Sequence, residues 1–350
     1  MFTKEFFDES IHTNNKLLIV NNDENDNLFK NFLKAYLSKK KGIIGFDLEF
    51  NTPPKSSNER KIALFQICFF LNNLNLIVFY LPEFASDETN ILFRRVLTSK
   101  NISKIGHGTD SLDIPAIYKL LNDGKSCIKF TNKLYDTRFL CEYINILLGT
   151  THCNIYHLLQ EYAVITVEQY NFLKINEEKL GDFWMKIIDI NNLSDELIDY
   201  SMYDALYLKK LCYNMKNFIN SHNFNFELIT KFTRLVFLLK RDIIHLPDVS
   251  EYNINFMQNK KKLFEIFANM YNNFLSKLNK SVSAIFQISY FKNTLKKILQ
   301  IVCYKKIINN NNVYKSKDIV INPEKINKVY NDFFKSIKKY KKLISIFEKI

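Results

Sequence analysis

Apolar and polar positions along the chain follow two periods, and each marks a kind of element. From Gly42 the run GIIGFDLEF, bounded by a basic cluster and by NTPPKSS, has the length and flanks of a buried strand followed by a loop. Lys61 to Leu71 and Leu74 to Leu81 read as two more strands, joined at Asn72 and Asn73, which suit the positive φ of a tight turn. Residues 88–99 place Ile91, Leu92, Val96 and Leu97 at helical spacing, and Asn101 to Gly106 is a short strand leading into a second helix. Pro115 belongs in the first turn of that helix, where an N–H has no intrahelical partner, so Asp113 falls at the strand-to-helix junction. Helical spacing runs from Tyr135 to Tyr162 and from Ser194 to Ile219, with Ser194, Asp195 and Glu196 as a helix start. Beyond His222 no strand is legible. That region reads as helical, broken around Leu246 to Val249, at Asn309 to Asn312 and at Pro323. Strands followed by alternating strand and helix predict an α/β fold built on a mixed sheet.

Composition narrows the class. A chain of 350 residues, 47% apolar and 24% charged, can bury one or two cores without disulfides or structural metals. Only 7 Gly and 6 Pro exclude collagenous and low-complexity chains. The most apolar stretch, Ile62 to Leu81, is interrupted by Gln66, Asn72, Asn73 and Asn75 and cannot cross a bilayer as one helix, so no membrane partner is expected. Cys68, Cys127, Cys141, Cys153, Cys212 and Cys303 form no CxxC pair and read as free core thiols of a reducing, intracellular compartment. His152, Cys153 and His157 lack a second ligand pair at zinc-finger spacing. The N-terminal MFTKEFFDES carries acids where a targeting peptide has none, which argues against secretion and organelle import.

The net charge of +13 is unevenly placed. Residues 231–350 hold 24 Lys and Arg against 8 Asp and Glu, whereas residues 1–230 hold 25 against 28. A basic C-terminal third favours a polyanionic partner, because phosphate contacts release condensed counterions. The competing reading is a solvated basic face enlarged by AT-rich coding, which also accounts for the excess of Lys, Asn, Ile and Phe.

Candidate chemistry concentrates in carboxylates. Asp47 and Glu49 are two apart in a strand and share one face, while Phe46, Leu48 and Phe50 point into the core. Like charges side by side in an apolar strand are unfavourable unless a cation neutralises them. Tyr200 and Asp204 are four apart and share a helix face, with Asp199 one residue off it. Packed over that strand they would complete an oxygen-lined site suited to Mg²⁺ or Mn²⁺.

Three segments in order, FDLEF (46–50), KIGHGTDSLDIPAIY (104–118) and YSMYDALYL (200–208), resemble the exonuclease motifs of the DEDD superfamily in its tyrosine-containing branch, which includes RNase D and the exosome exonuclease. IALFQIC (62–68) is similar to the family's second strand and YDTRFL (135–140) to the segment after motif II. The resemblance covers roughly residues 40 to 215. It implies an RNase H-like mixed β-sheet flanked by helices, followed by a mainly α-helical basic domain, with divisions at 1–40, 41–220 and 221–350. It also implies a metal-dependent 3′-5′ exonuclease that releases 5′-monophosphates from a free 3′ end, RNA favoured over DNA, on single-stranded substrate. Asp47, Glu49, Asp113 and Asp204 would hold two divalent cations, Mg²⁺ or Mn²⁺, and Tyr200 would orient the attacking water. The motif II aspartate usually lies five residues after the histidine, and His107 plus five is Leu112. Asp113 fits with a one-residue insertion in the loop, and Asp110 is the alternative ligand. Leu48, Phe50 and His107 are candidates for substrate contact, His107 also for a purely structural role. Two rival readings stay open: an idle DEDD-fold platform within a nucleic-acid complex, and a proofreading subunit acting on DNA.

Overall fold

The computed structural model describes residues 2–51, 60–149, 152–181 and 187–243, with isolated positions at 272, 276, 283, 287 and 288. The chain divides into two compact units, Met1–Leu238 and Leu239–Ile350. Nearly all of the second unit lies outside the described residues, and with it the expected breaks at 246–249, 309–312 and Pro323 and the helical character of the basic region. The loop beginning NTPPKSS lies outside them after Asn51.

In chain order the first unit contains strands β1 (Lys4–Asp8) and β2 (Thr13–Ile19), helix α1 (Asp23–Leu37), strands β3 (Gly42–Asn51), β4 (Lys61–Phe70) and β5 (Leu74–Tyr80), and helix α2 (Asp87–Thr98). Strand β6 (Ile102–Gly106), helices α3 (Asp113–Leu121) and α4 (Gly124–Phe130), strand β7 (Leu134–Asp136) and helix α5 (Thr137–Leu148) follow. Helices α6 (Ile155–Glu161), α7 (Val167–Leu180), α8 (Asp195–Leu206) and α9 (Leu208–Ser221) come next, and α10 (Phe226–Ile243) begins in this unit. Among the described residues no helix is long and apolar enough to cross a membrane.

The strands form one sheet in the order β1-β2-β5-β4-β3-β6-β7. Strand β4 runs antiparallel to both β3 and β5, while β6 and β7 add in parallel beyond β3. This five-strand core is the RNase H-like arrangement. Residues 1–40, set apart in the sequence reading, supply two strands and a helix to the same sheet, with β2 parallel to β5. The two sheet faces differ. On one, Phe29 of α1 and Phe93 of α2 pack with Phe65, Phe69 and Tyr80, and Phe46 meets Phe130 of α4. On the other, α8 and α9 lie over β3 and β4.

Three expectations are revised. Asn72 and Asn73 are not among the residues with positive φ, which are His12, Asn122, Lys133, Ala163 and Asn223. The turn between β4 and β5 closes instead through the Leu71 N–H, which donates to the Leu74 carbonyl. The helical run from Tyr135 begins in β7 and divides into α5 and α6, because Gly149 at φ 79° ends α5. The cysteines are not all free: Cys141 and Cys153 are bonded to each other, while Cys68, Cys127 and Cys212 are buried thiols. Twelve residues apart, the pair meets because the chain folds back from the end of α5 to the start of α6.

Candidate active site

Strand alternation carries Asp47 and Glu49 to the face opposite Phe46 and Leu48. Asp47 stands across from Gln66 of β4, and the register slips between Glu49 and Phe50. Such a bulge bends the strand and re-aims the side chains beside it. The Gln66 amide donates to Glu49 Oε1 at 3.3 Å, fixing that carboxylate from the neighbouring strand.

Helix α8 delivers the third acid. It starts cleanly because the Ser194 side chain accepts from the Leu197 N–H, with Asp195 and Glu196 in the first turn. Gly45 lets it come close: a Cβ there would lie 2.4 Å from the Ala205 carbonyl oxygen, so any side chain would push α8 away from β3. Asp204, one residue before Ala205, therefore reaches the acids of β3. Ligand oxygens of Asp47, Glu49 and Asp204 lie within 4.8 Å of one another. The Tyr200 hydroxyl hydrogen-bonds Asp204, and its ring sits on a small cluster of Ala63, Leu180, Ile188 and Leu197. The outer side of the helix is tied down by the N-terminal strands. Lys4 pairs with Asp199 at 2.5 Å, and the Tyr207 hydroxyl donates to Asp8 at 2.7 Å.

The electrostatics are those of an anionic cluster. Burial first, then neighbouring acids, raises the Asp47 carboxyl to about 7 and the Glu49 carboxyl to about 8. Asp204 is pushed well above the carboxylate range by burial and by Asp47, Glu49 and Glu177. Tyr200 is raised chiefly by Asp204, so its phenol keeps its proton.

Asp113 opens α3, buried, its carboxyl raised by desolvation and by the charges of Asp47, Glu49 and Asp136. It faces the acid cluster while standing outside the group of three. Asp110 is buried in the preceding loop. Asp136 holds that loop: its carboxylate accepts from the backbone N–H groups of Gly108 and Thr109 and from the Thr109 hydroxyl at 2.9–3.0 Å, while also capping α5. Gly106 makes the reversal possible, since a Cβ there would meet Thr109 Cγ2 at 2.2 Å.

His107 is engaged within the protein. Its ring nitrogens engage Thr137 Oγ1 at 2.9 Å and the Cys153 carbonyl at 3.0 Å, and burial lowers its pKa to about 4. The ring is a neutral brace between the motif II loop and the disulfide-bonded segment before α6. Leu48 lies on the opposite face of β3 from Asp47 and Glu49. At 5% exposure on the aromatic face it offers a base almost no surface. Phe50 is half-buried beyond the bulge rather than in the core.

Sequence reasoning missed two groups electrostatically coupled to Asp204, Tyr156 and Glu177. Tyr156 of α6 is buried, and its ring lies 5.6 Å from the Lys174 ammonium of α7, which pairs with Glu177 at 2.6 Å. In the sequence Tyr156 falls at an apolar position of a helix and Glu177 in a solvated EEKL string, so neither carries a local signal.

The donor set suits a hard cation. It is all oxygen, it gathers three half-buried like charges, and Asp204 Oδ1 is buried without a hydrogen-bond partner among the described residues. A carboxylate oxygen left in that state costs stability unless something positive meets it.

Comparison with known proteins follows the same lines. The chain is 28% identical over 336 residues to the protein L533 of Acanthamoeba polyphaga mimivirus, a match covering 85% of this chain and spanning 64% of that protein's length. Similar solved structures include the Aedes aegypti Nibbler EXO domain, with TM-score 0.43 and 12% identity over 67% of this chain and all of that one. RNase D from Trypanosoma brucei in complex with GMP gives TM-score 0.45 and 15% identity over 63% of each chain. The catalytic core of RRP6 from the same organism gives TM-score 0.45 and 13% identity, over 96% of this chain and 84% of that one. The sequence profile of the 3′-5′ exonuclease family matches residues 21–220, from α1 to the end of α9. With more than half of its length matched in this way, the protein belongs to the 3′-5′ exonuclease family.

Proposed function

We propose that the protein is an active, metal-dependent 3′-5′ exonuclease that hydrolyses single-stranded nucleic acid, RNA in preference to DNA, to 5′-monophosphates. The observation that carries this reading is the convergence of Asp47, Glu49 and Asp204 within 4.8 Å in a chain of this family. Asp47, Glu49, Asp204 and, from α3, Asp113 would hold two divalent cations, with Asp110 as the alternative fourth acid. When bound, Mg²⁺ or Mn²⁺ supplies Lewis-acid activation of a water and neutralises charge at the scissile phosphate.

The chain's own groups do the positioning. Gln66 fixes Glu49, Tyr200 fixes Asp204, and the Asp136-held loop fixes the start of α3. Because its phenol stays protonated, Tyr200 works by hydrogen bonding and not as the general base. The preference for RNA rests on the resemblance to RNase D. The basic region 231–350 supports a polyanionic substrate through charge alone.

The test is digestion of matched RNA and DNA oligonucleotides, labelled at the 3′ or the 5′ end, with Mg²⁺ or Mn²⁺ and with Asp47→Asn as the blank. Immediate loss of a 3′ label with a ladder of 5′-labelled products is expected. No turnover with intact binding would establish the idle platform instead, and preference for mismatched DNA ends would establish the proofreading reading.

A further inference from the structure

Helix α9 follows directly on the helix that carries Asp204, and its two faces differ. Leu208, Leu211, Cys212, Met215 and Ile219 are buried on the side that packs on β3, β6 and α5. The other side presents Lys209, Lys210, Tyr213 and Lys216 to solvent, three or four residues apart, which places them in one helical stripe.

Two features separate this stripe from an ordinary solvated face. The 14 residues of α9 include no Asp or Glu, in a part of the chain, residues 1–230, where acids outnumber bases. Helix α7 shows the ordinary pattern, with Lys174 and Lys179 standing among Glu168, Glu177 and Glu178. Lys30 and Lys34 likewise share Glu88, whereas Lys209, Lys210 and Lys216 have no ion pair among the described residues. The second feature is the Tyr213 ring, which stands 60% exposed between the lysines and adds little to the core.

The stripe is also held in place. Lys209 lies over the Phe70 ring and Lys216 over the Phe226 ring, each at 5.4 Å, and the Asn214 side chain donates to the Tyr162 carbonyl at 2.8 Å. A Cβ on Gly45 would stand 3.3 Å from the Phe70 ring, and Gly45 shares its face of β3 with Asp47, two residues on. The first lysine of the stripe therefore stands over the acid-bearing face of the sheet.

Cations without counter-ions on both sides of an exposed ring match a polymer that alternates phosphates with flat bases. Ammonium groups meet the phosphates as point charges, and an aromatic ring stacks on a base of any sequence. A duplex keeps its bases inside, so the ring favours a single strand. An acidic protein surface would satisfy the lysines and leave the ring without a stacking partner.

We infer that the outer stripe of α9 binds single-stranded nucleic acid, with Tyr213 stacking on a base and Lys209, Lys210 and Lys216 meeting the flanking phosphates. The identity of the polyanion rests on the exonuclease reading, whereas the contact itself does not depend on turnover. These residues hold the strand and take no part in hydrolysis. None of them belongs to the basic region 231–350.

The experiment measures equilibrium binding of a long labelled single strand to the full chain in chelator, where no metal-dependent cleavage occurs. It compares the wild type with Tyr213→Ala, Tyr213→Phe and the triple variant Lys209→Gln, Lys210→Gln, Lys216→Gln. All four positions are exposed, and equal melting temperatures establish that each variant is folded. Tyr213→Ala should weaken binding about tenfold while Tyr213→Phe stays within about twofold of wild type, as for a stacked ring. The triple variant should flatten the slope of log K against log salt by about 2, at about 0.7 per phosphate contact on a single strand. Binding of a blunt duplex should not respond to Tyr213→Ala. Unchanged affinity in Tyr213→Ala, or equal losses in Tyr213→Ala and Tyr213→Phe, overturns the stacking, and an unchanged salt slope in the triple variant overturns the phosphate contacts. Equal weakening on the duplex overturns the preference for a single strand. Wild-type affinity in every variant overturns the inference whole and leaves the stripe to an acidic protein surface. If the wild type binds the strand and does not cleave it with Mn²⁺, the exonuclease reading fails while the losses in the variants still uphold the α9 contact.

Discussion

The two faces of the central sheet are built from the same strands and do opposite things. Phe46 and Leu48 of β3 point into a packed face shared with Phe65, Phe69, Tyr80, Phe29 and Phe93, whereas Asp47 and Glu49 point into a pocket of like charges. Consecutive residues thus stabilise the fold and work against it. The difference teaches that the acid site is held in shape by the apolar face beneath it and by braces around it, not by its own interactions. A protein organised this way tolerates removal of a carboxylate far better than removal of a ring.

The largest effect is expected from breaking the packed face. Phe69 is fully buried and meets Phe29, Phe32 and Tyr36, so Phe69→Ala should cost about 3–5 kcal/mol. Urea unfolding should show the midpoint falling at unchanged slope. The mirror experiment is Asp47→Asn, where nuclease activity should drop by at least about a hundred-fold because a charge that meets the cation is gone. Its melting temperature should hold or rise, since removing one of several like charges relieves repulsion; a collapsed melting temperature would make Asp47 structural.

Motif II divides the comparison more finely. Asp113→Asn should match Asp47→Asn in activity, because the Asp113 carboxyl is coupled to the charges of Asp47 and Glu49, and Asp110→Asn should retain most of it. The reverse ranking in a steady-state assay would move the fourth acid to Asp110.

The raised carboxyls of Asp47 and Glu49 set a pH dependence. Their folded values of about 7 and about 8 lie above the unfolded ones, so their contribution to stability is full below the unfolded values, near ~4, and is lost as pH rises through 7 and 8. Metal-free protein should therefore melt lower at pH 8 than those groups alone would allow at pH 5. Mn²⁺ at a hundredfold excess over its Kd should restore about 2.7 kcal/mol. Scanning calorimetry with and without chelator at the two pH values checks this, and a larger cation effect at pH 5 would contradict it.

The smallest effect concerns a place where the packed face breaks its own rule. Lys104 of β6 is fully buried 6.0 Å from the Phe130 ring, its ammonium met by the carbonyls of Ser99 and Ile102, and burial lowers its pKa to about 7. Between that value and the unfolded one near ~10.4, the unfolded chain binds more protons, so this group favours unfolding most at and below neutral pH. Lys104→Met should raise the melting temperature at pH 7, and the gain should shrink as the pH approaches 10.

Legibility in the sequence divided along the same line. Strands β3 to β6 and the start of α8 follow from local periodicity and capping residues, and Asp47, Glu49 and Asp204, which the sequence proposed as one site, are neighbours in space. What escaped was set by distant partners. The break between α8 and α9 at Tyr207 has no Gly or Pro to announce it, and Tyr207 is held from afar by Asp8 and Gln169. The Cys141–Cys153 bond and the Tyr156 hydroxyl depend on where α5, α6 and α8 come to rest. The strands β1 and β2 carry mixed polar and apolar residues, and only the pairing of β1 with β2 and of β2 with β5 gives those residues a face.

That pairing has a practical consequence for anyone trimming the chain. The family profile begins at residue 21, and a truncation there would delete β1 and β2 whole. Strand β5, with Leu76, Ile77, Val78 and Phe79 all buried, would become an open sheet edge whose backbone groups had been satisfied by Asn14 to Ile19. A long apolar edge is a template for another chain, so the shortened protein should form insoluble aggregates even though every acid of the site is still present.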